Sequence, residues 1–308
     1  MDTIRLGRTD MFIEPLVFGC NVLGWTLDEA TAFRVLDAYV DHGFTALDTA
    51  DSYGKGKSET ILGKWMAARG NRAKLLVFTK VGSDMGQGRR DLSAKWIEEE
   101  VEASLRRLQT DHIDLYQSHW PDPETPQEET LGAFDRLVKA GKVRWIGSSN
   151  QDTALLSAAH DISRQHDWAR YETIQNEFNL YDREGFGQVQ DYCVRNDVSG
   201  IGYYSLARGF LAGKYRSEAD AGKSARGENA VAKYLNDKGR RLLAALDAVA
   251  GRTGATPAEI ALAWIAAQPG VGAAIASATT VEQVDSLARG ARLTLDEADL
   301  AALTEAGR

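Results

Sequence analysis

The chain reads as α/β: one parallel (β/α)8 TIM barrel over residues 1–308, with an N-terminal β-hairpin and C-terminal helices. Three observations predict this. Short, near-continuous apolar runs recur, as strands covered on both faces require. Helical periodicity fills the gaps between them. Eight such runs alternating with helices favour a closed barrel over an open sheet, and 308 residues suit a barrel of about 250 residues with additions.

Ile4-Arg5-Leu6 and Met11-Phe12-Ile13 flank Gly7-Arg8-Thr9-Asp10 and read as the hairpin. The barrel strands fall at 16–19, 45–48, 75–80, 113–118, 143–148, 172–175, 199–204 and 273–277. Asp28-Glu29 opens a helix through Asp41, and Asp91 or Ser93 caps one through Leu108. Thr125-Pro126 opens a helix that stops at Lys139-Ala140-Gly141. Asp152 caps 153–164, Thr256-Pro257 and Thr280 open two more, and Leu295–Ala306 closes the chain. Arg216–Asn229, rich in Gly, Ser and charge, reads as a mobile loop after the seventh strand.

Composition narrows the function. A formal charge of −8 with no Lys/Arg-rich block argues against nucleic-acid and membrane-surface partners and leaves a small molecule. Cys20 and Cys193 lie far apart and suit a reduced, cytoplasmic protein. The N-terminus lacks a secretory apolar region, and no window approaches 18 unbroken apolar residues. No H-x-H or H-E-x-x-H pair occurs, so no metal site is expected.

Four polar residues stand at the ends of consecutive strands: Asp48 and Tyr53 after the second, Lys80 on the third, His119 after the fourth. Strand ends share one face of a barrel, so the four side chains are expected to converge there. A lysine about 4 Å from a tyrosine, at an effective dielectric near 20, favours the phenolate by about 4 kcal/mol, roughly three pK units. Tyr53 is therefore expected to have a lowered pKa and to act as general acid, with Asp48 holding Lys80 and His119 orienting a carbonyl oxygen. Singly, each residue has a plain alternative: a cap, a surface charge, a packed ring, a loop histidine.

Further strand ends carry Ser148-Ser149-Asn150, Gln175 and Tyr204-Ser205. Asn150 and Gln175 suit a carboxamide, and Tyr204 offers a face to a planar ring. Ser149 or Asn150 capping the next helix, and Tyr204 in the core, are the alternatives. No G-x-G-x-x-G joins an early strand to a helix, so a Rossmann site is not indicated.

The segments FTALDTADSYGKGKSETILG, VFTKVG, IDLYQSHWPDP, LVKAGKVRWIGSSN, TIQNEFNLYDR, YYSLARGFLAGKY and AIASATTVEQV resemble, in order, those of the aldo-keto reductases, along nearly the whole chain. The resemblance implies a nicotinamide-dependent carbonyl reductase whose tetrad is Asp48, Tyr53, Lys80 and His119, with Tyr53 the acid/base. It implies that Ser149, Asn150 and Gln175 hold the carboxamide and that Tyr204 stacks on the nicotinamide. It places the pyrophosphate on Ser205, Leu206, Arg208, Gly209 and Lys214, without the proline often found after that serine. Gly19, Asn21 and Asp48 join the cofactor set, and Ser277, Ala278, Thr280 and Gln283 mark the adenosine end. Many members carry Lys or Arg at the positions of Ser277 and Gln283, so NADP(H), favoured by family habit, needs Arg289 or Arg208 as a substitute, and NAD(H) is the alternative. Trp25 and Trp120, with Tyr53 and His119, are the candidate substrate contacts. The rivals are a Schiff-base aldolase using Lys80 and a non-catalytic nicotinamide-binding scaffold; a metal hydrolase fares worst.

Overall fold

The computed structural model describes residues 3–308, and its eight parallel strands close into a barrel. They are β3 (Leu16–Gly19), β4 (Ala46–Asp48), β5 (Leu76–Val81), β6 (Ile113–Ser118), β7 (Val143–Ser149), β8 (Tyr171–Glu177), β9 (Ser199–Tyr203) and β10 (Val271–Ala276). Neighbours pair in chain order, and β10 returns to β3 through Ala274–Leu16, Ile275–Val17 and Ala276–Phe18. Each predicted run matches one strand, with ends displaced by at most two residues.

The hairpin pairs β1 (Ile4–Arg5) with β2 (Phe12–Ile13) and plugs the barrel from below. Leu6, Met11 and Ile13 pack on Val17, Ala46, Phe78, Leu115, Ile201 and Ala273 inside the staves. Gly7 donates its N–H to Ser199 Oγ at 2.8 Å, at the start of β9. Gly7 has φ +53°, and a Cβ there would lie 2.4 Å from the Glu172 carbonyl oxygen, so the turn admits only glycine. The opposite rim stays open.

A second, larger apolar layer lies between the staves and the helices α1 (Glu29–Asp41), α2 (Lys57–Arg69), α3 (Ala94–Leu108), α4 (Gln127–Lys139), α5 (Thr153–His166), α6 (Glu184–Asn196), α7 (Gly227–Tyr234), α8 (Asp237–Thr253), α9 (Pro257–Ala266), α10 (Val281–Arg292) and α11 (Glu297–Ala306). The predicted caps hold: Asp28, Ser93, Asp152, Thr256 and Thr280 each accept an N–H from the first turn of their helix. The helices that the predicted starts do not include are α2, α6, α7 and α8, although Asn236 caps the last by accepting the Gly239 N–H. The first three begin after Gly56, Arg183 and Arg226, none of which makes a side-chain cap.

Segment 216–229 is not the irregular loop its composition predicts. Glu218–Lys223 forms a 3-10 turn with a Ser217–Asp220 capping box, and α7 starts at Gly227. Arg216 binds Asp247 of α8 through two hydrogen bonds of 2.7 and 2.8 Å. The polar residues that look like loop chemistry serve as local caps and anchors. Among the described residues no helix is long and apolar enough to cross a membrane.

Candidate active site

β4, β5 and β6 are adjacent staves, and their register sets Lys80 beside Gln117 and Asp48 beside Phe78. The strand ends bring the predicted tetrad together. Lys80 is fully buried and donates to Asp48 Oδ1 at 2.5 Å, the Thr49 carbonyl at 2.7 Å and Tyr53 Oη at 3.3 Å. Asp48 Oδ2 accepts from Gln175 Nε2 at 2.9 Å and Gln117 Nε2 at 3.2 Å. The His119 ring stands edge-on to Tyr53, with centroids 5.9 Å apart. Its backbone is held on both sides: the N–H binds the Val81 carbonyl and the carbonyl accepts from Asn150 Nδ2.

The electrostatics correct one expectation. Tyr53 is raised, not lowered: burial of the phenol comes first, the Lys80 ammonium opposes it, and Asp48 reinforces it. Lys80 does not act as a lone cation, because Asp48 sits closer to it than Tyr53 does. Burial pulls Lys80 down, but Asp48 and Tyr53 together hold it above its usual value. A buried, charged amine with three partners has no lone pair to attack a carbonyl, which speaks against the aldolase reading. Burial, then Lys80 and Arg90, push His119 well below its ordinary value, so the imidazole is neutral.

Chemically, Tyr53 accepts from Lys80 and keeps its own O–H proton free for an acceptor in the cleft. His119, with Nδ1 turned to Ser83 and Ser52, has Nε2 left for the same acceptor. Two neutral donors converging on one point suit the oxygen of a carbonyl that gains charge during reduction.

From this cluster a cleft of about 540 Å³ runs to the start of α10. Gly19, Asn21, Asp48, Ser149, Asn150, Gln175, Tyr204, Ser205, Leu206, Arg208, Gly209, Lys214, Ser277 and Gln283 all line it, as do Tyr53, His119 and Trp120. Asn150, Tyr204 and Arg208 hold φ near +55°, a left-handed backbone that side chains enter only when the surroundings impose it. Gly209 holds φ +92°, a left-handed backbone that favours glycine, and packs against the end of the Lys214 side chain. Arg208 Nε and one Arg226 amino group are buried without a partner among the described residues. These orphaned donors, with Lys214, form a cationic stretch in a chain of net charge −8, which fits a dinucleotide's phosphates.

Several predicted contacts fall elsewhere. Trp25 does not line the cleft; it is 55% exposed, and the Arg226 guanidinium lies 5.0 Å from its ring centroid. Ala278 is buried away from the cleft, and Thr280 spends its hydroxyl on the Gln283 N–H as the α10 cap. Arg289 is paired with Glu259 at 2.8 Å through Nε and Nη2, so part of its guanidinium is already engaged. Arg208 lies 4.5 Å from the Tyr204 centroid, so a planar ring takes the other face of Tyr204 or displaces the arginine. The amides are engaged as well: Tyr203 donates to Asn150 Oδ1 at 2.7 Å, and Gln175 Nε2 donates to Asp48 Oδ2 at 2.9 Å and Gln117 Oε1 at 3.2 Å.

Sequence reasoning missed Gln117, Ser52, Ser83, Tyr203 and Arg226. Gln117 was legible: two residues before His119 on a strand, it shares the inward face. Tyr203 ends β9, while Ser52, Ser83 and Arg226 stand on turns whose path the sequence leaves open.

Residues 15–308 match the model of the Aldo/keto reductase family. The chain is 37% identical to Aldo-keto reductase YhdN of Bacillus subtilis, over 97% of this chain and 91% of that protein. It is 35% identical to the uncharacterized oxidoreductase YrpG of the same organism, over 99% and 95%. With Protein tas of Escherichia coli it shares 31% identity, over 96% and 95%.

Proposed function

The chain belongs to the aldo/keto reductase family, and from that premise we propose that it reduces an aldehyde or ketone to an alcohol, or runs the reverse, with Tyr53 as proton donor. The observation that carries this is the pair of unspent donors at the cleft floor, the Tyr53 O–H and His119 Nε2, behind which Asp48 fixes Lys80. A nicotinamide held in the cleft would supply or accept the hydride. Tyr53 gives its proton to the carbonyl oxygen, and Lys80 stabilises the phenolate left behind. His119 orients the oxygen by a hydrogen bond. Ser149, Asn150 and Gln175 take the carboxamide end, and Arg208, Gly209, Lys214 and Arg226 take the phosphates. Trp120, stacked on His119 at 5.8 Å, forms the substrate wall.

NADP(H) is the cofactor we assign, on family usage. One observation favours NAD(H) as a second reading: Ser277 and Gln283 are uncharged, and the guanidinium of Arg289 is already paired with Glu259. Cys20 and Cys193, free and buried, suit a reducing compartment and support a cytoplasmic location.

The test combines binding and turnover. Quenching of the seven tryptophans is titrated with NADPH and with NADH, in wild type and in Tyr53→Phe. Tyr53→Phe is expected to bind dinucleotide as wild type does and to lose about 10²- to 10⁴-fold in kcat on an aldehyde panel. Wild-type turnover in that variant refutes the assignment of the acid, and binding of neither dinucleotide refutes the reductase reading.

A further inference from the structure

The geometry points to Ser83 as the positioning residue that fixes the tautomer of His119, so that the imidazole presents an N–H at Nε2 to the substrate oxygen. The kinetic part of this inference rests on the carbonyl-reductase reading; the tautomer itself does not.

Ser83 follows Gly82 just past β5, is buried, and brings its hydroxyl to 2.9 Å from His119 Nδ1. Its own carbonyl accepts from Gln87 Nε2 at 3.0 Å, which pins the turn that carries it. The Ser52 hydroxyl approaches the same nitrogen at 3.5 Å. Among the described residues the Ser83 hydroxyl has no acceptor other than Nδ1. Donation to Nδ1 gives the Ser83 hydroxyl proton its one acceptor in the protein among the described residues, whereas accepting from Nδ1 would leave that proton facing the cleft; in the paired arrangement the ring nitrogen carries the lone pair. In a neutral imidazole the other nitrogen carries the hydrogen. The state of the ring agrees, since burial keeps His119 uncharged. Nε2 has no protein partner among the described residues, and His119 lines the cleft beside Tyr53. The reverse tautomer would face the cleft with a lone pair, which repels a carbonyl oxygen gaining negative charge. Ser83 touches neither substrate nor cofactor in this scheme and acts only through His119.

The experiment reads the tautomer directly. The protein is labelled with ¹⁵N at its five histidines, and His119 is assigned with His119→Asn. Long-range ¹⁵N–¹H spectra at neutral pH are recorded for wild type, Ser83→Ala and Ser83→Thr, and kcat and KM are measured for each. Wild type is expected to show Nδ1 unprotonated and Nε2 protonated. Ser83→Ala is expected to draw the two nitrogen shifts together and to lower kcat about five- to tenfold, the worth of one hydrogen bond, with dinucleotide affinity unchanged. Ser83→Thr, which keeps the hydroxyl, is expected to restore both. A proton on Nδ1 in wild type overturns the inference whether or not any variant folds. Unchanged His119 shifts in a folded Ser83→Ala overturn it as well. The expected spectra from a protein that reduces no carbonyl would uphold the tautomer and refute the reductase reading instead.

Discussion

Lys80→Met should cost far more stability alone than together with Asp48→Asn. The two charges stand 2.5 Å apart with side-chain exposures of 0% and 2%. At an effective dielectric near 20 their attraction is about 7 kcal/mol before desolvation is subtracted. Methionine replaces the lysine stem almost isosterically but leaves the Asp48 carboxylate buried. Oδ2 keeps its bonds from Gln117 and Gln175, whereas Oδ1 loses its cation. Removing one member of such a pair costs about 3–5 kcal/mol. Asp48→Asn alone should fall in the same range, because the buried Lys80 ammonium then keeps only neutral partners, an amide oxygen at position 48, the Thr49 carbonyl and Tyr53, and has no counter-charge. In the double variant no charge remains buried, so a loss of about 1–2 kcal/mol is expected and a coupling of roughly 3 kcal/mol or more. Urea unfolding of the four proteins at neutral pH measures this through midpoints at constant m-value. Additivity within about 0.5 kcal/mol would refute the pairing argument. Turnover separates the roles: the double variant should recover stability and not kcat, since the phenolate of Tyr53 has lost its cation.

Other consequences follow from the same geometry. Gln283→Arg puts a guanidinium where the cleft reaches α10, and NADPH affinity should rise about tenfold or more while NADH affinity stays level; equal gains for both would show that the 2′-phosphate does not reach this position. His160 is buried between Tyr171 O and Tyr192 Oη, and burial lowers it from 6.5 to about 4. Its folded value lies below its unfolded one, so the stability it contributes is present above about pH 6.5 and is lost as pH falls toward 4, roughly 3 kcal/mol in all. His160→Asn should flatten the stability profile by about 1.4 kcal/mol per pH unit between pH 6 and 4.5, read from urea midpoints; an unchanged slope refutes the assignment. Gly7→Ala should cost about 1–3 kcal/mol, because the hairpin plug must accept a left-handed alanine against Glu172.

The sequence by itself determined the barrel and the tetrad. Strands buried on both faces leave continuous apolar runs, and parallel barrels gather strand ends on one face, so Asp48, Tyr53, Lys80 and His119 were legible as a set. Most helices were legible from a local start signal, a capping side chain or the Thr125-Pro126 pair; α2, α6 and α7 lack a side-chain cap and were not, and α8 was not despite its Asn236 cap. Tertiary structure alone decided the electrostatics and the rim. Whether Tyr53 is lowered or raised depends on how tightly Asp48 claims Lys80, and a spacing of 32 residues between those two does not contain a distance of 2.5 Å. The pairing of Arg289 with Glu259, 30 residues upstream, is set by helix packing and by no local pattern. Ser83, Ser52 and Arg226 reach the cleft from turns, where the direction of a side chain follows from packing against distant segments and not from any local period.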